Sequence, residues 1–169
     1  QLKVTGFSYK ASSISPLTKT IQGRIFNLVG TGANEEEVTK EIRQISLEVL
    51  AGAWTWDDLS PYGKIGKTEY QRVPPMVVRG AYYYNDHINP KNPFRVGESP
   101  QWCYVIQAPE NLPPTNVIGF RDAEEVKDFE IDYSTCVQKF IGKKIENIYR
   151  VLNWDVNDAI GKPKPKKHW

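Results

Sequence analysis

Apolar residues fall at helical spacing in three stretches of this chain and alternate with polar residues in a fourth. Leu17, Ile21, Ile25, Leu28 and Val29 share one face of a 3.6-residue repeat. Ser15 precedes Pro16, so a capping hydroxyl meets a proline at the first helical position, and Gly30 and Gly32 stop the helix. Val38, Ile42, Ile45 and Val49 form a second stripe, with Asn34 as its cap. Glu35, Glu36 and Glu37 sit at the positive end of the helix dipole, and Gly52 ends the helix. The connection is short, which predicts antiparallel packing of the pair. Val137, Ile141, Ile145, Ile148 and Leu152 make the third stripe, capped by Asp132. Leu2, Val4, Phe7 and Tyr9 alternate with Lys3, Thr5 and Ser8, which reads as a strand with Gly6 as a bulge. Trp102 to Gln107 reads as a short buried strand, and Met76 to Tyr84 fits either a helix or a strand. Residues 53–72 and 109–121 read as irregular. The Lys/Pro tail, residues 156–169, is expected to be disordered.

Composition narrows the class. With 169 residues, 40% apolar and 25% charged, the chain suits one domain with a real core. No stretch approaches the roughly 20 apolar residues of a membrane helix. Gln1-Leu2-Lys3-Val4 has no initiator Met and no signal-peptide layout, so something upstream is expected to be missing. Cys103 and Cys136 match no zinc spacing and no disulfide scaffold. A reducing, cytoplasmic compartment is the expectation.

Net charge is only +2, but its distribution is uneven. Lys64, Lys67, Arg72 and Arg79 face Glu69 alone within 62–80, and Asp122, Glu124, Glu125, Asp128, Glu130 and Asp132 crowd 122–132 against Lys127. Such blocks suit a protein that offers one face to a polyanion. Gly63-Lys64-Ile65-Gly66-Lys67, with Tyr70 and Arg72 beyond, can bring backbone N–H groups and cations to a phosphate. It lacks the Walker spacing, and on this stretch alone a solvated turn is the simpler reading. Lys10-Ala11-Ser12-Ser13 can hold an anion or cap a helix. Asp128, Glu130 and Asp132 could hold a divalent metal, but a solvated acidic turn is the simpler reading. Trp54, Trp56, Trp102, Trp154, Trp169 and Tyr82-Tyr83-Tyr84 could stack on unpaired bases, yet core packing explains most of them. No Ser-His-Asp set, Cys-His pair or dinucleotide fingerprint is visible, so no catalytic and no metal-binding residue is assigned.

The order of these segments resembles the end of the palm and the thumb of family B DNA polymerases, phage-type or archaeal, over residues 2–155. Leu2-Lys3-Val4-Thr5-Gly6-Phe7, Lys10, Ser12-Ser13 and Thr20-Ile21-Gln22 resemble the last palm strand running into the first thumb helix. Lys67-Thr68-Glu69-Tyr70 and Val73-Pro74-Pro75-Met76 resemble the thumb's lysine-tyrosine element and the helix behind it. Asn92-Pro93-Phe94-Arg95-Val96-Gly97, Tyr104-Val105-Ile106 and Ile131-Asp132-Tyr133 through Leu152-Asn153-Trp154 resemble the segments that close the family's thumb.

The resemblance implies an α+β fold, mainly helical with a few short strands: residues 1–13 end the palm, 14–155 form the thumb and 156–169 a basic tail. It implies that Lys10, Ser13, Lys64, Lys67, Tyr70, Arg72 and Arg79 touch the phosphates of a primer-template duplex. This piece would bind no cofactor. The whole polymerase would need Mg, held by palm carboxylates upstream, and its upstream palm, fingers and exonuclease portion would be the protein partner. Many members end in a hydrophobic clamp-binding peptide. Lys164-Pro165-Lys166-Lys167-His168-Trp169 departs from that pattern and leaves a sliding clamp open as a partner. The competing expectation is a stand-alone adaptor for single-stranded DNA.

Overall fold

The computed structural model describes residues 14–67 and 69–160. The expected first strand, with Lys10 and Ser13, lies outside them, as do Thr68 and residues 161–169. Helix α1, Pro16–Gly30, starts as its sequence predicts: the Ser15 hydroxyl accepts from Leu17 N and donates to the Leu59 carbonyl. Helix α2, Glu35–Leu50, is capped by Asn34, whose side chain accepts from Glu37 N. Arg24 of α1 pairs with Glu41 of α2. The two lie at equal sequence distance from the connecting loop, so the helices run antiparallel.

A one-turn helix α3, Trp56–Leu59, is closed by a Thr55/Asp58 capping box. The Met76 stretch is helical: α4, Met76–Tyr83, follows Pro75 and continues as a wider π-type turn, Tyr84–Ile88. Strands β1 (Gln101–Gln107), β2 (Val117–Phe120) and β3 (Glu130–Ile131) form an antiparallel sheet in the order β2-β1-β3. Strand β2 corrects the expectation of an irregular 109–121. At four residues, all buried, it offers no polar-apolar alternation to read. A last helical run follows Asp132: α5 (Tyr133–Cys136), a π-type segment (Val137–Gly142) and α6 (Lys143–Val151).

The first residues of the expected tail are helical, and residues 161–169 lie outside the described residues. Residues Asn157–Ile160 form a further turn, α7, with Ala159 buried. Arg43 donates to the Asp158 carbonyl, and Asp155 N donates to Glu35 Oε1 at 3.0 Å. Gly142 makes room for this turn, because a Cβ there would stand 2.3 Å from Ile160 Cδ1. Three helices end alike: the residues after Gly32, Gly52 and Asn153 donate backward to the carbonyls of Leu28, Glu48 and Tyr149. All three terminators have positive φ, the left-handed cap for which glycine and asparagine are suited.

The main core joins α1, α2 and the last helical run through Leu17, Ile21, Ile25, Val38, Ile42, Ile45, Val49, Ile141, Ile145 and Ile148. Cys103 and Cys136 meet within it as free thiols, their Sγ atoms 3.8 Å apart. The hydrogen bond between them, then burial, pushes the Cys136 thiol far above its ordinary range. Two smaller clusters fill the sheet side. One holds Ile65, Val78, Ala81, Tyr84 and Phe94, the other Val105, Ile118, Phe120, Val126 and Phe129. Trp54, Trp56, Trp102 and Trp154 are half-buried against the core, as the packing explanation of the aromatics expects. Among the described residues no helix is long and apolar enough to cross a membrane.

Helix α4 lies on β2 at backbone contact. A Cβ on Gly80 would stand 2.7 Å from Gly119 N, and one on Gly119 would stand 2.9 Å from the Gly80 carbonyl carbon. In an exposed helix, Gly→Ala stabilises by about 1 kcal/mol. Here the sign reverses, because neither backbone can yield without moving α4 off the sheet. Gly80→Ala and Gly119→Ala are each expected to cost about 1–3 kcal/mol in chemical denaturation. Gly66→Ala, with nothing within 4 Å of its Cβ, is expected to change stability by less than about 0.5 kcal/mol.

Burial is the largest cause raising the Tyr84, Tyr104 and Tyr149 hydroxyl pKa values above the ordinary tyrosine range. The folded state therefore holds these protons more tightly than the unfolded chain. Their contribution is present below about pH 10 and is lost as pH rises through the folded values. Denaturation midpoints should fall above about pH 10. Tyr149→Phe, which also removes the 2.9 Å bond to Thr39, should make that fall shallower.

Candidate nucleic-acid interface

The basic segment after α3 is extended and pinned along one side. Gly63 N donates to the Pro100 carbonyl at 3.0 Å, Ile65 N to Glu98 at 2.9 Å, and Gly97 N to Ile65 at 2.8 Å. Tyr62 bridges Gln101, and Trp102 N donates to the Pro61 carbonyl at 3.1 Å. An extended backbone alternates its side chains. Ile65 therefore enters the cluster of Val78, Ala81, Tyr84 and Phe94, while Lys64, Gly66 and Lys67 are exposed. Gly63 is held tight against α4: a Cβ there would stand 2.9 Å from Val77 Cβ.

Beyond Gly66 the chain turns. The Lys67 ammonium stands 4.9 Å from the centre of the Tyr70 ring, a cation–π contact at the surface. Tyr70 is half-buried against the Ile65 cluster, which fixes the ring on which the cation rests. Lys67, Glu69, Tyr70, Gln71 and Arg72 line one shallow pocket. Two cations, a phenol and an amide thus converge on one concavity, with Glu69 as its one acid. Such a surface can neutralise and hydrogen-bond a phosphate ester.

Arg79 is differently engaged. It is half-buried on α4, and its guanidinium donates to Asn116 Oδ1 at 3.0 Å and contacts Met76 Sδ. Of the residues singled out in the sequence, Lys67, Tyr70 and Arg72 share the pocket. Lys64 lies on the same pinned segment, and Arg79 joins α4 to the start of β2.

The acidic block serves the backbone. Asp122 and Glu125 close a capping box, Glu124 pairs with Lys127 at 2.6 Å, and Asp132 accepts from Thr135 N at 3.0 Å. A second basic locus was not singled out in the sequence. Lys139, Lys143 and Lys144 of the last helical run line a groove with Ile14, Ser15, Pro61, Trp102, Tyr104 and Phe140. Its only signal was three lysines within Lys139-Phe140-Ile141-Gly142-Lys143-Lys144, and periodicity attends to apolar positions instead.

The architecture is that of an α+β domain, helices against a small antiparallel sheet. No family model matches the chain, and no curated protein matches its sequence. Among solved structures it is similar to the family B DNA polymerase from the hyperthermophilic archaeon Pyrobaculum calidifontis, with a TM-score of 0.58 and 13% identity. The match covers 92% of this chain and 19% of that polymerase. At that identity the likeness is one of fold.

Lys64 and Lys67 are exposed, whereas Ile65 between them is buried. Replacing both lysines by alanine should change stability by less than about 0.5 kcal/mol. Ile65→Ala should cost about 2–5 kcal/mol and loosen the whole segment. Urea denaturation of the three proteins checks both.

Proposed function

We propose that this chain is the thumb piece of a family B DNA polymerase, with residues 1–13 ending the palm, and that it holds the primer-template duplex during DNA synthesis. The observation that carries this reading is the fold likeness across nearly the whole chain to about a fifth of one such polymerase. The collinear order of the sequence segments is consistent with it. So does the exposed basic segment, whose cations suit phosphates and whose backbone is too pinned to follow base edges.

In this role Lys64, Lys67, Tyr70 and Arg72 contact the duplex backbone, with Lys10 and Ser13 on the approach from the palm. Arg79, bonded to Asn116, holds α4 against β2 and reaches phosphate only by giving up that bond. Contacts of this kind position a duplex and carry no sequence preference. Nucleotidyl transfer and its Mg belong to the upstream palm. The single-strand adaptor loses ground, because Trp54 and Trp56 pack against the core instead of standing free between cations.

Binding to a primer-template duplex and to the corresponding single strand, each titrated with salt, tests the reading. Duplex preference independent of sequence is expected. Lys64→Ala with Lys67→Ala should lower the slope of log K against log salt by about two, since each lost phosphate contact removes about 0.9. An unchanged slope, or preference for the single strand, contradicts the thumb assignment.

A further inference from the structure

The groove between β1 and the last helical run is floored by aromatic side chains and rimmed by cations. Trp102 packs edge-on against Tyr104 and Phe140, at 5.2 and 5.8 Å between ring centres, and Tyr104 lies 5.3 Å from Phe140. Both Trp102 and Tyr104 are half-buried, packed against the main core. Lys139, Lys143 and Lys144 stand on one edge, all exposed. They are spaced i, i+4 and i+5, so one helical face carries all three.

Among the described residues no carboxylate lines this groove. The nearest ion pair, Lys143 with Glu146, is long at 3.9 Å and solvated. Lys139 and Lys144 have no ion pair among the described residues. Glu146 offsets Lys143 alone, so the cluster keeps an excess of positive charge that an anion relieves.

By charge, this chain's own ends are poor occupants. Residues 1–13 carry Lys3 and Lys10 and no acid, and residues 161–169 carry Lys162, Lys164, Lys166 and Lys167 and no acid. Either segment would add positive charge to a positive rim. The groove also adjoins the basic segment already described. Pro61 lines it, three residues before Lys64, and that stretch is tied to β1 through Trp102 N.

We propose that Lys139, Lys143 and Lys144 bind the phosphate backbone of duplex nucleic acid as a second track, continuous with the 61–72 segment. This rests on the duplex-holding reading above. Two basic tracks that meet at Pro61, which lines the groove, grip a duplex at more than one phosphate group, which resists rotation as well as dissociation. The aromatic floor supports the lysine stems and excludes water beneath them.

The test uses the full chain with a primer-template duplex across a salt titration. It compares the wild type, the Lys139→Ala/Lys143→Ala/Lys144→Ala variant, the Lys64→Ala/Lys67→Ala variant, and a charge-matched control, Lys40→Ala/Lys91→Ala/Lys127→Ala. The groove variant is expected to bind roughly 10-fold or more weakly near physiological salt, with a slope lower by about two to three. The control should stay within about twofold. Circular dichroism should show every variant folded, since all the replaced lysines are exposed. A groove variant with wild-type slope, while the Lys64/Lys67 variant loses slope, overturns the second track and leaves the first. Equal losses in groove variant and control also overturn it, since net charge alone would then account for the effect. Absence of duplex binding by the wild type overturns the duplex-holding reading itself, and the second track with it.

Discussion

The site depends on how closely α4 can lie on the sheet. Gly80 and Gly119 bring helix and strand backbones into contact, with no room for a Cβ on either side. That approach seats Val78, Ala81 and Tyr84 over Ile65 and Phe94. It also brings Val77 against Gly63, so the third glycine transmits the position of α4 to the basic segment. A methyl group at Gly80 or Gly119 would lift α4 and release the wall on which Lys64 and Lys67 are mounted.

The segment is thus a pinned strip that carries exposed cations. Its backbone is bonded to the 97–102 stretch, and Ile65 anchors it in a core cluster. Lysine stems keep their freedom, which suits a ligand whose phosphates recur along a helix and need not be met in one register. Tyr70 restrains only Lys67, through its ring. Strong sequence selectivity would ask for fixed, bidentate donors instead, and Arg79, the arginine of α4, already donates to Asn116.

Much of the helical architecture was legible because its signals are local. Ser15, Asn34 and Asp132 cap where their hydroxyl, amide and carboxylate predicted, and Gly32 and Gly52 stop helices through positive φ. The buried stripes of α1, α2 and the last run follow the apolar spacing. What was not legible is non-local. Strand β2 is four buried residues whose identity as a strand comes from pairing with β1. Helix α7 is ordered by Gly142 and Arg43, far away in sequence. The meeting of Cys103 with Cys136 likewise follows from tertiary packing. At the candidate site, Lys67, Tyr70 and Arg72 converge as their proximity in sequence suggested. The groove lysines escaped notice because their partners, Trp102, Tyr104 and Pro61, lie tens of residues upstream.

Amide hydrogen exchange of the full chain, with and without a primer-template duplex, tests the central claim most directly, because it reads where the nucleic acid sits. The account predicts slowed exchange in residues 61–72 on duplex addition, with α2 and α7 unchanged. Protection confined to α2 and α7, or none in 61–72 at duplex concentrations that saturate binding, would contradict it.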